Sequence, residues 1–104
     1  MAQALVAANG LPESPLDAAL HFYQRHVPQI LAAGDDCAVL FDPADHSHHA
    51  WRLAAVQQLA RDVAPARVNA VVGGDDAAIA DVLAYLAKAP GVTGQLLAVA
   101  DKVD

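Results

Sequence analysis

Apolar residues along the chain fall alternately into short runs and spaced stripes, and each form predicts a different element. Ala4 to Ala8 is a short apolar run closed by Asn9-Gly10, a turn pair, and predicts a strand. Ser14-Pro15 then opens a helix: serine can cap, proline suits the first helical position, and Asp17 has capping-box-like spacing. Leu16, Leu20, Tyr23, Val27, Ile30 and Leu31 recur at helical spacing and are expected to share the core-facing side, with a kink at Pro28 and an end at Gly34. Cys37 to Phe41 is a compact apolar run of the kind that forms a strand buried on both faces. A second helix is predicted from about His46 to Ala64, stopped by Pro65, with Leu53, Val56, Leu59, Ala60 and Val63 as its core side.

Val68 to Val72 is the next strand, closed by Gly73-Gly74. Asp75 or Asp76 can cap a third helix, whose apolar stripe is Ile79, Val82, Leu83 and Leu86. Pro90-Gly91 ends that helix, and Gln95 to Ala100 is the last strand. The order βαβαβαβ with short connections implies an α/β fold: a mainly parallel four-stranded sheet with three helices. No repeat, linker or low-complexity segment divides the chain, so residues 1–104 read as a single domain.

The sides of the first two helices turned away from the expected core carry a second signal. At about 100° per residue, Phe22 falls opposite the first apolar arc, among Ala18, Arg25, Gln29 and Ala33. Trp51 falls outside the second arc, beside Ala50, Ala54, Ala55 and Gln58. Aromatics flanked by alanine suit an interface in which helices approach closely. Phe22, Ala18, Arg25, Trp51, Ala50, Ala54, Ala55 and Gln58 are therefore the expected interface of a homo-oligomer.

Composition narrows the function classes. A net charge of −6, with six Lys and Arg scattered through 104 residues, provides no basic patch for nucleic acid. No apolar run reaches the ~20 residues needed to span a bilayer, and no basic stretch followed by an apolar core suggests a signal peptide. The single Cys37 suits a reducing compartment, so a cytoplasmic location is expected, with an inert buried thiol.

Two segments carry a family resemblance. Leu59 to Gly74, LARDVAPARVNAVVGG, resembles the region of short-chain dehydrogenases/reductases where a long helix ends in "LARELAP" and the next strand reads "RVNAVAPG". Gly91 to Asp101, GVTGQLLAVAD, is similar to that family's closing "VTGQVLVVDG", at the right distance, and a weaker match continues back to Leu5. The resemblance implies half of a Rossmann-type fold, the C-terminal half, without the N-terminal half that binds the dinucleotide.

Family members reduce or oxidise carbonyl and alcohol groups with a nicotinamide cofactor, using a tyrosine acid and a lysine four residues on. Counting back from Pro65 places the tyrosine at Asp45 and the lysine at His49, and the family's serine near Asp42 or Pro43. An exposed aspartate is ionised at neutral pH and has no proton to give. No spacing among the six glycines gives Gly-x-x-x-Gly-x-Gly, and the family's "NNAG" reads Ala7-Ala8-Asn9-Gly10. The resemblance thus implies a catalytically degenerate protein with no catalytic residue and no cofactor of its own. It also implies oligomers built on the first two helices, as a dimer or tetramer, or assembly with a full-length dehydrogenase.

One other cluster could carry chemistry. Asp42, Asp45, His46, His48 and His49 crowd a strand end and helix start, and imidazole and carboxylate are credible zinc ligands. His46 and His49 can share a helical face, but no Cys or Glu completes four ligands, so the cluster reads as a solvated helix start capped by Asp45 or Ser47. The alternative functions are a small-ligand or metal-binding protein using this cluster, and one half of a split oxidoreductase.

Overall fold

A computed structural model describes residues 3–99. Four strands, β1 (Ala4–Ala8), β2 (Cys37–Phe41), β3 (Val68–Val72) and β4 (Leu96–Ala98), form one parallel sheet in the order β1-β2-β3-β4. The α/β class, the four parallel strands and the three helical crossovers are those expected. The first crossover is two helices rather than one kinked helix: α1 (Pro15–Arg25) and α2 (Val27–Ala33) meet at His26. The others are α3 (His49–Asp62), preceded by a single 3-10 turn at His46–His48, and α4 (Asp76–Ala87). Ala100 and Asp101, included above in the last strand and its motif, lie outside the described residues. No helix among the described residues is long and apolar enough to cross a membrane.

Local chemistry accounts for the helix starts. The Ser14 hydroxyl accepts from the Asp17 amide and Pro15 opens α1. Asp75 caps α4 by accepting from the Ala78 amide. Gly34 closes α2 in the left-handed conformation, at φ 67.

The parallel register aligns side chains in rows across the sheet. Val6 faces Val39, Val39 faces Ala70, and Ala70 faces Leu96. This face packs under α1, α2 and α3, with Phe22, Ile30, Ala55, Val56, Leu59 and Ala60 filling the space. Strand alternation turns Ala38 and Val71 to the other face, where they are also buried. The buried Ala78 and Leu86 of α4 take no part in the first cluster and cover this second face. Leu5, on the second face of the edge strand β1, is 56% exposed.

The predicted sides of the first helix are reversed. Phe22 and Ala18 are fully buried, whereas Leu16, Leu20, Tyr23 and Leu31 of the expected core arc are exposed. The reason is the break at His26. It resets the helical phase, so Val27, Ile30 and Leu31 do not extend the stripe begun by Leu16, Leu20 and Tyr23. Freed from that constraint, α1 turns its Ala18–Phe22 side inward: alanine permits close approach and the ring fills the gap. Phe22 meets Phe41 at 5.3 Å and Trp51 at 5.6 Å between ring centroids.

Of the other expected interface residues, Ala55 is fully buried and Trp51 half-buried, both within the subunit. Arg25, Ala50, Ala54 and Gln58 do face solvent. In α3 the expected Val56, Leu59 and Ala60 are buried, with Leu53 and Val63 at the margin.

Asn69, in the "RVNAV" segment, is buried and structural. Its side-chain amide donates to the Val92 carbonyl at 3.0 Å, and its oxygen accepts from the Gln95 amide at 3.1 Å. The bridge fastens the turn before β4 to the middle of the sheet. Arg67, just before β3 at the same amino end, adds a second fastening, pairing with Asp36 at 2.8 Å and donating to the carbonyls of Leu86 and Ala89.

Candidate functional site

The carboxyl ends of parallel strands open a crevice where ligands bind in α/β folds. In this protein the ends of β1 to β4 meet the start of α3, and two adjoining clefts lie there. The larger, about 520 Å³, runs between the loop after β1 and the loop after β2 and includes Glu13, Asp42, Asp45, His48 and Arg52. The smaller, about 330 Å³, lies between the start of α3 and the ends of β3 and β4, and includes His46, His49, Arg52, Val72, Leu96 and Ala98.

The Asp/His cluster is brought to this edge, but its members are separately engaged. Asp42 accepts from the Gly10 amide at 3.3 Å, tying the loop after β2 to the turn after β1. Asp45 caps the 3-10 turn, accepting from the backbone amide and hydroxyl of Ser47. Those bonds hold its carboxyl below the ordinary aspartate value. His48 is buried, with Nε2 2.9 Å from the Glu13 carbonyl and Nδ1 accepting from Trp51 at 3.0 Å. Both contacts are satisfied together when Nε2 carries the proton. His46 and His49 are exposed, and their rings stack at 5.9 Å with an interplanar angle of 9°. Among the described residues no group of three or more His, Cys, Asp and Glu is placed to hold a metal ion.

Ala44, Asp45, His48 and Arg52 line both clefts, and of these Arg52 is the one with site chemistry that the sequence pattern did not single out. Arg52 is only 5% exposed. Its guanidinium lies 4.5 Å from the Phe41 ring centroid and 5.8 Å from that of Trp51. Nη1 donates to the Asp42 carbonyl at 3.0 Å, while Nε has no acceptor. Burial lowers its pKa, an effect the Asp42 charge opposes. An Arg one turn into α3, after the histidines and directly following Trp51, was the only local signal. Arginine seldom lies buried without a carboxylate partner, so residue type alone does not point to a buried position.

Cys37, in contrast, is plain core. Burial pushes its thiol up to about 11.

Gly73 and Gly74 hold positive φ angles of 75 and 84 at the end of β3. They are turn glycines, and a Cβ on Gly74 would come within 2.9 Å of Val99 Cγ1.

Comparison with known proteins agrees with this architecture. Residues 6–99 match the family model described as short chain dehydrogenase-like protein. No curated protein and no solved structure matches the chain. The chain belongs to the short chain dehydrogenase-like family.

Proposed function

We propose that this short chain dehydrogenase-like protein acts by association rather than by hydride transfer, as a two-fold dimer built on the outward sides of α1 and α3. The observation that carries the reading is the stripe of Leu16, Leu20 and Tyr23 along α1, which is 81%, 57% and 45% exposed. Isolated apolar side chains on a surface mean little, but residues spaced at i, i+4 and i+7 make one contiguous ridge. On α3, Ala50 and Ala54 are exposed, small enough for a partner helix to approach. The two helices are neighbours, joined underneath by the Phe22–Trp51 contact. The family resemblance supports the same pair of helices, but with the ridge leucines in place of the buried Phe22.

Two further features support a non-catalytic role. Asp45 stands where the family's tyrosine acid would be, exposed and held as a carboxylate by Ser47. It has no proton to deliver to an alkoxide at neutral pH. His49, in the lysine's place, is exposed and stacked on His46. A cytoplasmic location fits the inert lone thiol.

A second copy is the partner proposed. Fully burying each ridge residue contributes on the order of 1.5–3 kcal/mol, so two ridges provide roughly 9–18 kcal/mol gross. As an upper bound, since the three residues are 45–81% exposed to begin with, that overlaps the association cost of about 4–15 kcal/mol. Two-fold pairing lets each ridge count twice. Sedimentation equilibrium tests the reading at about 10-fold above a ~1 μM dissociation constant. A dimer is expected for the native chain and a folded monomer for Leu20→Glu. A native monomer overturns the reading, and a mixed assembly formed only with a full-length dehydrogenase would replace it.

A further inference from the structure

We propose that the 330 Å³ cleft at the start of α3 binds a small organic monocarboxylate. Its carboxylate is held by the Arg52 guanidinium and the rings of His46 and His49, and its apolar body lies against Val72, Leu96 and Ala98. This inference does not depend on the association described above, because the ridge of α1 takes no part in lining the cleft.

The central observation is a buried cation short of partners. Arg52 carries five N–H groups on a charged plane and is nineteen-twentieths buried. Its one hydrogen bond among the described residues goes to a neutral carbonyl, that of Asp42. Nε has no acceptor, and no carboxylate among the described residues lies within ion-pair distance of the guanidinium. A desolvated charge in this condition is costly unless an anion completes it. A carboxylate matches the guanidinium fork in shape and charge.

The surroundings select both the cleft and the ligand class. In the larger cleft Glu13 and Asp42 face the same space and oppose an anion. The smaller cleft contains one carboxylate, Asp45, and that is turned to Ser47. His46 and His49 stand together at the same helix start, and each ring has an N–H to offer in any protonation state. No side chain caps the start of α3, because both ring nitrogens of His48 are committed to Glu13 and Trp51. The positive end of the α3 dipole therefore adds to the attraction. The remaining wall is aliphatic, from the ends of β3 and β4, which favours an acid with an apolar body over inorganic phosphate.

Trp51 is the single tryptophan and lies beside Arg52, so its fluorescence reports on the site. The full chain would be titrated at constant ionic strength with benzoate, with neutral benzamide and with inorganic phosphate. A saturable response to benzoate is expected, none to benzamide, and phosphate binding at least about 10-fold weaker. Arg52→Met should weaken benzoate by about 10-fold or more, as expected for loss of a charge-assisted contact. Because Arg52 is buried, the exposed pair His46→Gln/His49→Gln is tested beside it, with circular dichroism to confirm the fold, and should weaken benzoate too. No response to benzoate, an equal response to benzamide, phosphate as tight as benzoate, or undiminished benzoate affinity in the double-histidine variant would each overturn the proposal.

Discussion

The indole N–H of Trp51 donates to Nδ1 of His48 at 3.0 Å, one turn back along the chain, and thereby sets which imidazole nitrogen carries the proton. With Nδ1 accepting, Nε2 is free to donate to the Glu13 carbonyl across the larger cleft. A single side-chain pair thus couples the start of α3 to the loop after β1.

Breaking that pair should be felt in the fold. Trp51→Phe keeps an aromatic ring against Phe22 and Phe41 but leaves buried Nδ1 without a donor. A loss of about 1–3 kcal/mol is expected, measured by urea denaturation. Unchanged stability would mean that the Trp51–His48 bond has no structural role.

Phe22 and Leu20 should behave as opposites, although they sit two residues apart on one helix. Phe22→Ala empties the centre of the aromatic cluster and should cost about 3–5 kcal/mol. Leu20→Ala, at an exposed position, should stay within about 0.5 kcal/mol when measured on the monomer. Chemical denaturation of both variants at low protein concentration distinguishes them, and equal losses would contradict the orientation of α1.

That orientation marks the limit of what the sequence discloses. Strands were legible because their apolar runs are compact and each is bounded by Gly, Pro or Asn. The parallel sheet followed from the alternation of elements. Helix α1 was not legible in the same way, because both of its sides are apolar: Leu16, Leu20 and Tyr23 on one, Ala18 and Phe22 on the other. Hydrophobicity cannot choose between them, and the break at His26 hides in a pattern that still looks periodic. At the site, the Asp/His cluster was visible by its density and Asp45 is a local cap, but Asp42 and His48 also take partners from distant backbone segments, Gly10 and Glu13. Arg52 was missed because the groups that bury it, the Phe41 ring and the Asp42 carbonyl, come from a different segment of the chain.

Acid should weaken the fold through Asp36. Bonds from the Arg67 backbone amide, then from its guanidinium, hold the Asp36 carboxyl below its ordinary value of 3.8. A folded-state value below the unfolded one means that the stabilisation is present above about pH 4 and is lost as pH falls through the folded value. Denaturation midpoints from pH 7 down to about pH 3 should therefore fall more steeply for the native chain than for Asp36→Asn. Parallel curves would show that the Arg67 pairing contributes no acid sensitivity.

Gly74→Ala should destabilise by about 1–3 kcal/mol. A φ of 84 is strained for any L side chain, and the added methyl meets Val99 at 2.9 Å. Thermal unfolding measures the loss, and a neutral result would place Val99 elsewhere.

Strand order in the sheet repeats strand order in the chain, and this bears on how the fold is reached. Each strand docks on the one made just before it, so every crossover closes a loop of modest length at modest entropic cost. Growth by accretion of this kind keeps contacts comparatively local, which favours rapid folding for a parallel sheet. Among the described residues, β1 lies at one edge of the sheet with a strand neighbour on one side only. A strand supplied from outside could therefore add there without dismantling anything already built.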